Sequence, residues 1–415
     1  MIRDLFLIKF NKHYIQIKDG GRKVLYLKTK NLIFRIHRLF LFIIAFFGVL
    51  FLIIFSLFKK IQIGRLRTDK IGEFAIRAEI FILKKKNINK NKSINLIFRD
   101  KIISNEFLYR LYKKKIYFLP NILFEEIYIL IKFFKLHKLC YNGLHDNIDR
   151  NLLLKKFKTQ VSLQNSETKI LNNFLNNLKI NNRKLVCLTI RDNAYHGKSA
   201  MTEYRNSDIH KCSKAINYLI KKGYFVIRMG RKTNKKLKIK SKFYFDYSQS
   251  NLKSDELDIL IASACSFCIS SATGFDSIVR IFRKPILFIN FVPYIYFPSD
   301  IYNSQILFKN IYTKQKNKKL KLLEILRSGV GALSSDSEIK KNNVIFKENS
   351  SEQILKAVKE FEKKFKLNKS INIRYSKLDH KFIQTYLREL KYTHFIHNYR
   401  HFKATVSRFF LKEII

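Results

Sequence analysis

Residues 262–293, ASACSFCISSATGFDSIVRIFRKPILFINFVP, read as strand, tight loop, helix, strand and loop. Residues 265–270 form a short β-prone apolar run. Phe275, Ile278, Val279 and Phe282 then repeat at i, i+3, i+4 and i+7, the spacing of one helix face. Lys284-Pro285 stops that helix, and residues 286–291 are a second strand of the fully buried type. Between strand and helix lie Ser270, Ser271, Ala272, Thr273 and Gly274. Hydroxyls and a glycine feeding a helix N-terminus suit an anion, because free N–H groups and the helix dipole point at it. Any strand-to-helix junction also needs a small-residue turn, so the loop counts only with what its neighbours bring.

Working outward, the neighbours repeat the pattern. Residues 185–190 form a strand that delivers Arg191 and Asp192 to its carboxyl end. Asp208 can cap a helix with Ala215, Ile216, Leu219 and Ile220 on its apolar face, closed by Gly223. The strand at 224–229 ends at Gly230-Arg231, and 243–245 ends at Asp246-Tyr247. Ser254, Asp255 and Glu256 open a helix that leads back to residue 264. Earlier, strands at 61–67, 94–98 and 116–119 alternate with helices at 74–83, from Ser104 to 114, and from Asn121 to 136. A polar seam at 143–149 and a helix near 167–178 separate the two series. Such alternation predicts an α/β fold with parallel sheets covered by helices.

Ligands of open parallel sheets bind at the carboxyl ends of strands. Those ends carry Arg191, Asp192, Arg228, Gly230, Asp246, Ser270, Ser271, Thr273, Gly274 and Asn290. Cations, hydroxyls, N–H groups and a few acceptors on one edge suit a sugar nucleotide, with its pyrophosphate on the donors and its hydroxyls on the acceptors.

The chain has 415 residues, with 82 Lys+Arg against 31 Asp+Glu and a formal net charge of +51. That charge suggests a polyanion partner. Yet Lys, Asn, Ile and Phe crowd the chain while Gly (12), Pro (4) and Trp (0) are scarce, the bias an A/T-rich genome imposes. No basic–aromatic platform, zinc-finger spacing or homeodomain-like helix accompanies the charge, and no nucleic-acid partner is expected. The five cysteines (Cys140, Cys187, Cys212, Cys265, Cys268) suit a reducing compartment. Cys265 and Cys268 lack a second pair for zinc and sit in an apolar strand, which reads as core.

Residues 39–58, LFLFIIAFFGVLFLIIFSLF, are twenty residues without a charge, flanked by Arg35, Arg38, Lys59 and Lys60. At ~1.5 Å per residue that run matches a hydrocarbon core of ~30 Å. It predicts a spanning helix or a deep monotopic anchor. Residues 1–38 read as a basic segment with β-prone patches at 5–10 and 14–18 around the Asp19-Gly20-Gly21 turn, and not as a signal peptide.

The motifs together are more specific than any one of them. VCLTIRDNAYHGKS (186–199), EYRNSDIHKCSKAINYLIKKGYFVIRMGR (203–231), FDYS (245–248), SDELDILIASACSFCISSATGFDS (254–277) and KPILFINFVP (284–293) resemble, in that order, a family of bacterial glycosyltransferases near surface-polysaccharide functions. The resemblance spans residues 60–360 and is densest from 185 to 295. It implies two Rossmann-like lobes facing a cleft, the glycosyltransferase B architecture, with the acceptor on the first lobe and the sugar nucleotide on the second. By position it implies that Arg191 and Asp192 line the donor cleft and that Tyr195 belongs to the same turn. Tyr204, Arg205 and Asn206 would form the rim. Arg228 and Gly230 would face the nucleotide, and Ser271, Thr273 and Gly274 the phosphates or sugar. IGRLRTDKIGEF (63–74) resembles the family's first glycine turn, but reads Lys70-Ile71-Gly72-Glu73 where the family has Arg-Ile-Gly-His.

The expected organisation is a basic segment (1–30), a membrane anchor (31–60), an acceptor lobe (61–160), a sugar-nucleotide lobe (161–360) and a helical tail (361–415). The expected reaction moves a sugar from a nucleotide-sugar donor to a glycan or lipid-linked acceptor, at the cytoplasmic face of a bacterial inner membrane. Asp69, Glu73 and Asp192 are the candidate bases. No Asp-x-Asp pair is present, and neither a metal nor a cofactor is expected. A sugar-nucleotide epimerase and a membrane-bound polyanion-binding protein are the other classes open to such a sequence.

Overall fold

The computed structural model describes residues 2–87, 93–144, 148–180, 182–194, 202–298, 300–367, 375–390 and 402–415. In chain order the first elements are α1 (Ile2–Phe58), β1 (Ile61–Leu66), α2 (Ile71–Asn87), β2 (Ile94–Arg99), α3 (Glu106–Lys113), β3 (Phe118–Leu119) and α4 (Asn121–Phe133). Next come α5 (Leu153–Lys156), α6 (Asn165–Asn177), β4 (Lys184–Thr189), α7 (Ser213–Lys221), β5 (Tyr224–Met229), β6 (Tyr244–Asp246), α8 (Asp255–Ala264), β7 (Phe267–Ser270), α9 (Phe275–Ile281) and β8 (Ile286–Phe291). The remaining elements are β9 (Ser304–Phe308), β10 (Asn310–Thr313), α10 (Leu322–Arg327), α11 (Asp336–Lys341), β11 (Val344–Lys347), α12 (Ser351–Leu367), α13 (Lys377–Leu390), β12 (Ala404–Val406) and α14 (Arg408–Ile414). Two compact units result. One comprises residues 1–65, 91–100 and 118–142, the other 66–90, 101–117 and 143–415.

In the first unit, β1, β2 and β3 form a three-stranded sheet in that order, and β2 runs parallel to β3. Ala45, Val49 and Leu52 of α1 share one core with Ile61 and Ile63 of β1, Phe98 of β2, and Ile127, Leu130 and Ile131 of α4. Their spacing puts them on one helical stripe. Small residues on that stripe allow close approach, and a Cβ on Gly48 would stand 3.0 Å from Ile127 Cδ1. Residues 5–10 and 14–18, expected to favour strand, are helical from Ile2 onward, interrupted by non-helical backbone at Gly21 (φ 56°, ψ −152°). Intrinsic β preference is a weak force, and a long run without proline can stay helical. Among the described residues, one helix, Gly21–Phe58, is long and apolar enough to cross a membrane; only 17% of its most apolar window is buried.

The second unit is built on a seven-stranded sheet in the order β12-β9-β8-β7-β4-β5-β6, parallel at every described pairing. Strands β4, β5, β7 and β8 are near-continuous apolar runs because helices cover both faces. Cys187, Cys265 and Cys268 are wholly buried among them, and all five cysteines are free thiols. From β4 the chain winds one way through β5 and β6, then returns to β7 and winds the other way through β8 and β9. The order therefore reverses between β4 and β7.

Two expectations are corrected here. The helix expected from Ser104 is capped by Asn105, whose Oδ1 accepts from Leu108 N at 2.7 Å. The segment after residue 366, expected to be helical, also contains β12, which pairs Ala404 with Ser304 on the sheet edge. Three residues are too few to show a period of two.

Candidate functional site

The reversal between β4 and β7 opens a crevice at the carboxyl ends of two adjacent strands, the position where open α/β sheets seat ligands. Its floor is stitched from both strands. Ser271 N donates to Thr189 O at 3.1 Å, and Arg191 N donates to Ser271 Oγ at 2.7 Å. The Thr189 and Thr273 hydroxyls meet at 3.2 Å. Ala272 adopts a left-handed backbone, φ 59°, uncommon for a residue with a Cβ, and its carbonyl accepts from Arg205 Nη2 at 3.1 Å. The strained turn thus sets Arg205 beside Arg191.

Arg191 is half-buried. Its Nη2 donates to Thr202 Oγ1 at 2.8 Å, while its buried Nε has no hydrogen-bond partner among the described residues. Burial, and next the charge of Arg205, pushes the Arg191 guanidinium down to about 10. Two guanidiniums held together on hydroxyls and a carbonyl form a site that favours an anion. The rim that carries Arg205 is fixed from behind. The Asp336 carboxylate accepts from Glu203 N and Tyr204 N at 2.7 and 2.8 Å. Lys309 Nζ donates to Tyr204 O and Asn206 O at 2.8 and 2.6 Å, and burial pushes this lysine down to about 8.

Gly274 is exposed at the start of α9 and touches the start of α2. A Cβ on Gly72 would lie 3.0 Å from Gly274 Cα, and one on Gly274 would lie 3.0 Å from Ile71 Cγ2. The starts of α2 and α9 therefore meet at these glycines, and Glu73 follows Gly72 directly in the chain. Arg67 links the Asp69 and Glu73 carboxylates, donating to Asp69 Oδ1 and Oδ2 at 3.2 and 3.0 Å and to Glu73 Oε1 at 3.1 Å. Arg77 pairs with Glu73 Oε2 at 2.7 Å. Acting as a base, either carboxylate must leave an ion pair.

The other sequence-selected residues have different surroundings. Asp192 ties loops: Oδ1 accepts from Ala194 N at 3.0 Å and Oδ2 from Asn234 N at 2.8 Å. Arg228, 1% exposed, lies opposite Asp246 in the β5–β6 register and donates to its Oδ2 at 3.0 Å. Asp246 Oδ1 accepts from Ser248 Oγ at 2.6 Å. Gly230 has φ 152°, and a Cβ there would stand 2.9 Å from Thr233 Cγ2. Asn290, 2% exposed, exchanges two hydrogen bonds with Asn349, at 2.8 and 2.6 Å. Ser270 is wholly buried. Tyr195 lies outside the described residues.

Sequence reasoning passed over Thr189, Thr202, Lys309, Asp336 and, most consequentially, Asp276. Asp276 sits in the first turn of α9, 6% exposed, and Thr273 Oγ1 donates to its Oδ1 at 3.4 Å. Burial, only partly offset by hydrogen bonds, pushes its carboxyl up to about 7. Thr273-Gly274-Phe275-Asp276 has the spacing of a capping box, a signal that was available in the sequence. Among the described residues, no group of three His, Cys, Asp or Glu side chains is arranged to hold a metal ion.

No protein-family model and no curated protein matches the chain. Solved structures similar to it at low identity include the following two. E. coli ADP-heptose LPS heptosyltransferase II is 10% identical with a TM-score of 0.34, covering 60% of this chain and 90% of that one. A glycosyl transferase of family 9 from Veillonella parvula DSM 2008 is 12% identical with a TM-score of 0.42, covering 73% of this chain and 97% of that one. Likenesses of this depth leave the assignment to the residues of the chain itself.

Proposed function

We propose that the chain is a glycosyltransferase that moves a sugar from a nucleotide-sugar donor to a glycan or lipid-linked acceptor, at the cytoplasmic face of a bacterial membrane. The observation that carries this reading is the Arg191–Arg205 pair at the strand-order reversal, held on the Thr202 hydroxyl and the Ala272 carbonyl, with a buried Arg191 Nε that has no hydrogen-bond partner among the described residues. In the proposed reaction the acceptor O–H bond and the bond from the sugar C1 to the phosphate oxygen break, and a glycosidic bond forms. The nucleoside diphosphate leaves carrying the bonding pair. Arg191, Arg205 and the N–H groups at the start of α9 stabilise the charge that grows on it. The acceptor proton goes to a carboxylate of the Arg67–Asp69–Glu73 cluster. Asp192 keeps the loop geometry. No metal takes part in this scheme.

Titration of the full chain with nucleoside diphosphates tests the reading. Arg191→Ala is expected to weaken binding by at least about tenfold, and Arg191→Lys by less, because a lysine keeps the charge and loses the fork. Unchanged affinity in both would remove the donor from this crevice. With binding established, Asp69→Asn and Glu73→Gln separate the base from its neighbour: the true base loses turnover while donor affinity stays near wild type.

A further inference from the structure

The proposed membrane location raises the question of how α1 meets the bilayer, and the surroundings of α1 and α4 answer it. Along its apolar run, α1 keeps Ala45, Val49 and Leu52 for the core of the first unit, where Ile61 and Ile63 of β1 and Phe98 of β2 also lie. The opposite side of α1 carries Phe47, Phe51 and Ile54, all exposed. A helix crossing the bilayer would drag the β1-β2-β3 sheet against mid-membrane hydrocarbon. An open sheet cannot satisfy its edge N–H and C=O groups there, and only helices and closed barrels span membranes. The sheet therefore belongs on the aqueous side of α1.

Helix α4 adds a second observation. Its outer stripe is apolar at i, i+7 and i+11: Ile122 is 54% exposed, Ile129 43% and Phe133 75%. Phe134 extends the patch at 48%. The polar residue inside the stripe, Glu126, is paired with Arg38 of α1 at 3.1 Å, so its charge is compensated. Exposed Lys132 lies over the Tyr128 ring at 4.6 Å, and Lys135, Lys138, Lys59 and Lys60 are exposed at the ends of the two helices. Apolar faces bordered by long cations match the boundary between acyl chains and anionic headgroups, with the lysine stems reaching back to the surface.

We propose that α1 and α4 form one in-plane surface seated in an anionic bilayer, and that α1 does not cross it. This rests on the membrane reading above and adds α4 as the second lipid-facing element, with the two ends of the apolar helix Gly21–Phe58 on one side.

The chain contains no tryptophan, so a single introduced one reports its own depth without background. Full-length Phe51→Trp and Phe133→Trp variants are mixed with phosphatidylglycerol-containing vesicles whose acyl chains are brominated. Both fluorophores are expected to shift to the blue and lose at least about half their emission. Quenching of the residue 51 probe without the residue 133 probe overturns the role of α4. Sidedness is read with Lys23→Cys and Lys60→Cys in sealed inside-out membrane vesicles, using an impermeant maleimide; all native cysteines are buried. Labelling of both from the same side supports the in-plane geometry, and labelling of one only after detergent overturns it. A chain that stays in the supernatant with neither probe quenched overturns the membrane reading itself and this inference with it.

Discussion

Arg191 and Arg205 repel one another, and the turn at Ala272 holds them together regardless, which is the behaviour of a site waiting for negative charge. Asp276, in the first turn of α9, has the opposite need. Its carboxyl is raised to about 7 by burial, so the folded chain keeps a proton that the unfolded chain has lost above its ordinary carboxylate value. The sign follows directly: this group favours folding most in acid, and its contribution falls as the pH rises from about 4 through 7. Asp276→Asn is expected to abolish that decline, with the stability gap between variant and wild type changing by a few kcal/mol across the window, an order of magnitude set by about 1.4 kcal/mol per pKa unit. Urea midpoints of both proteins at acidic and neutral pH check it, and parallel pH profiles would contradict it. Gly72 makes a steric prediction. Its Cβ would meet backbone at 3.0 Å, and backbone cannot swing aside as a side chain tip does. Gly72→Ala should cost about 1–3 kcal/mol, read as a drop in thermal midpoint.

At the scale of elements, α2 is bound to α9 by more than the glycine contact. Arg283, just beyond α9, donates to the wholly buried Glu79 of α2 at 2.7 Å, and Glu79 also accepts from Gln160 N at 2.8 Å and Tyr112 Oη at 3.2 Å. Removing the cation alone strands a buried carboxylate. Arg283→Met is expected to destabilise by about 3–5 kcal/mol, and Glu79→Gln added to it should recover much of the loss, since the uncompensated charge is the larger penalty. Chemical denaturation of the two variants measures both. These elements also mark how far a sequence can be read. Strands β4, β5, β7 and β8 were legible because a parallel sheet covered on both faces leaves uninterrupted apolar runs bounded by turn residues. The residue types at their ends were legible too. Whether such a residue faces solvent or core was not, because a strand-end side chain can turn either way: Arg228 turns in to Asp246, whereas Arg191 turns to the crevice. The meeting of Gly72 with Gly274 left no trace either, since a contact between distant segments has no period.

At the scale of the whole molecule, the excess of positive charge and the α1–α4 surface predict a two-part response to salt. Adsorption to anionic vesicles should weaken as salt rises from about 50 to 500 mM, because screening shortens the reach of the lysines, while chain already seated should resist elution. Vesicle co-sedimentation before and after salt addition measures both; complete salt elution would point to a purely electrostatic attachment. The division into units has its own consequence. The chain passes between them repeatedly before residue 143, and α2 and α3 belong with the sheet encoded far downstream. A fragment of residues 143–415 lacks both helices and should fail to unfold cooperatively. During synthesis, at about 5–20 residues per second, α2 emerges many seconds before its partner α9 exists. Phe74, Ala75 and Ala78, buried in the finished fold, must wait uncovered for that interval. Such interleaving makes the two units inseparable as inherited cassettes: neither can be exchanged by a single splice, and the crevice between β4 and β7 can change only by substitution within this chain.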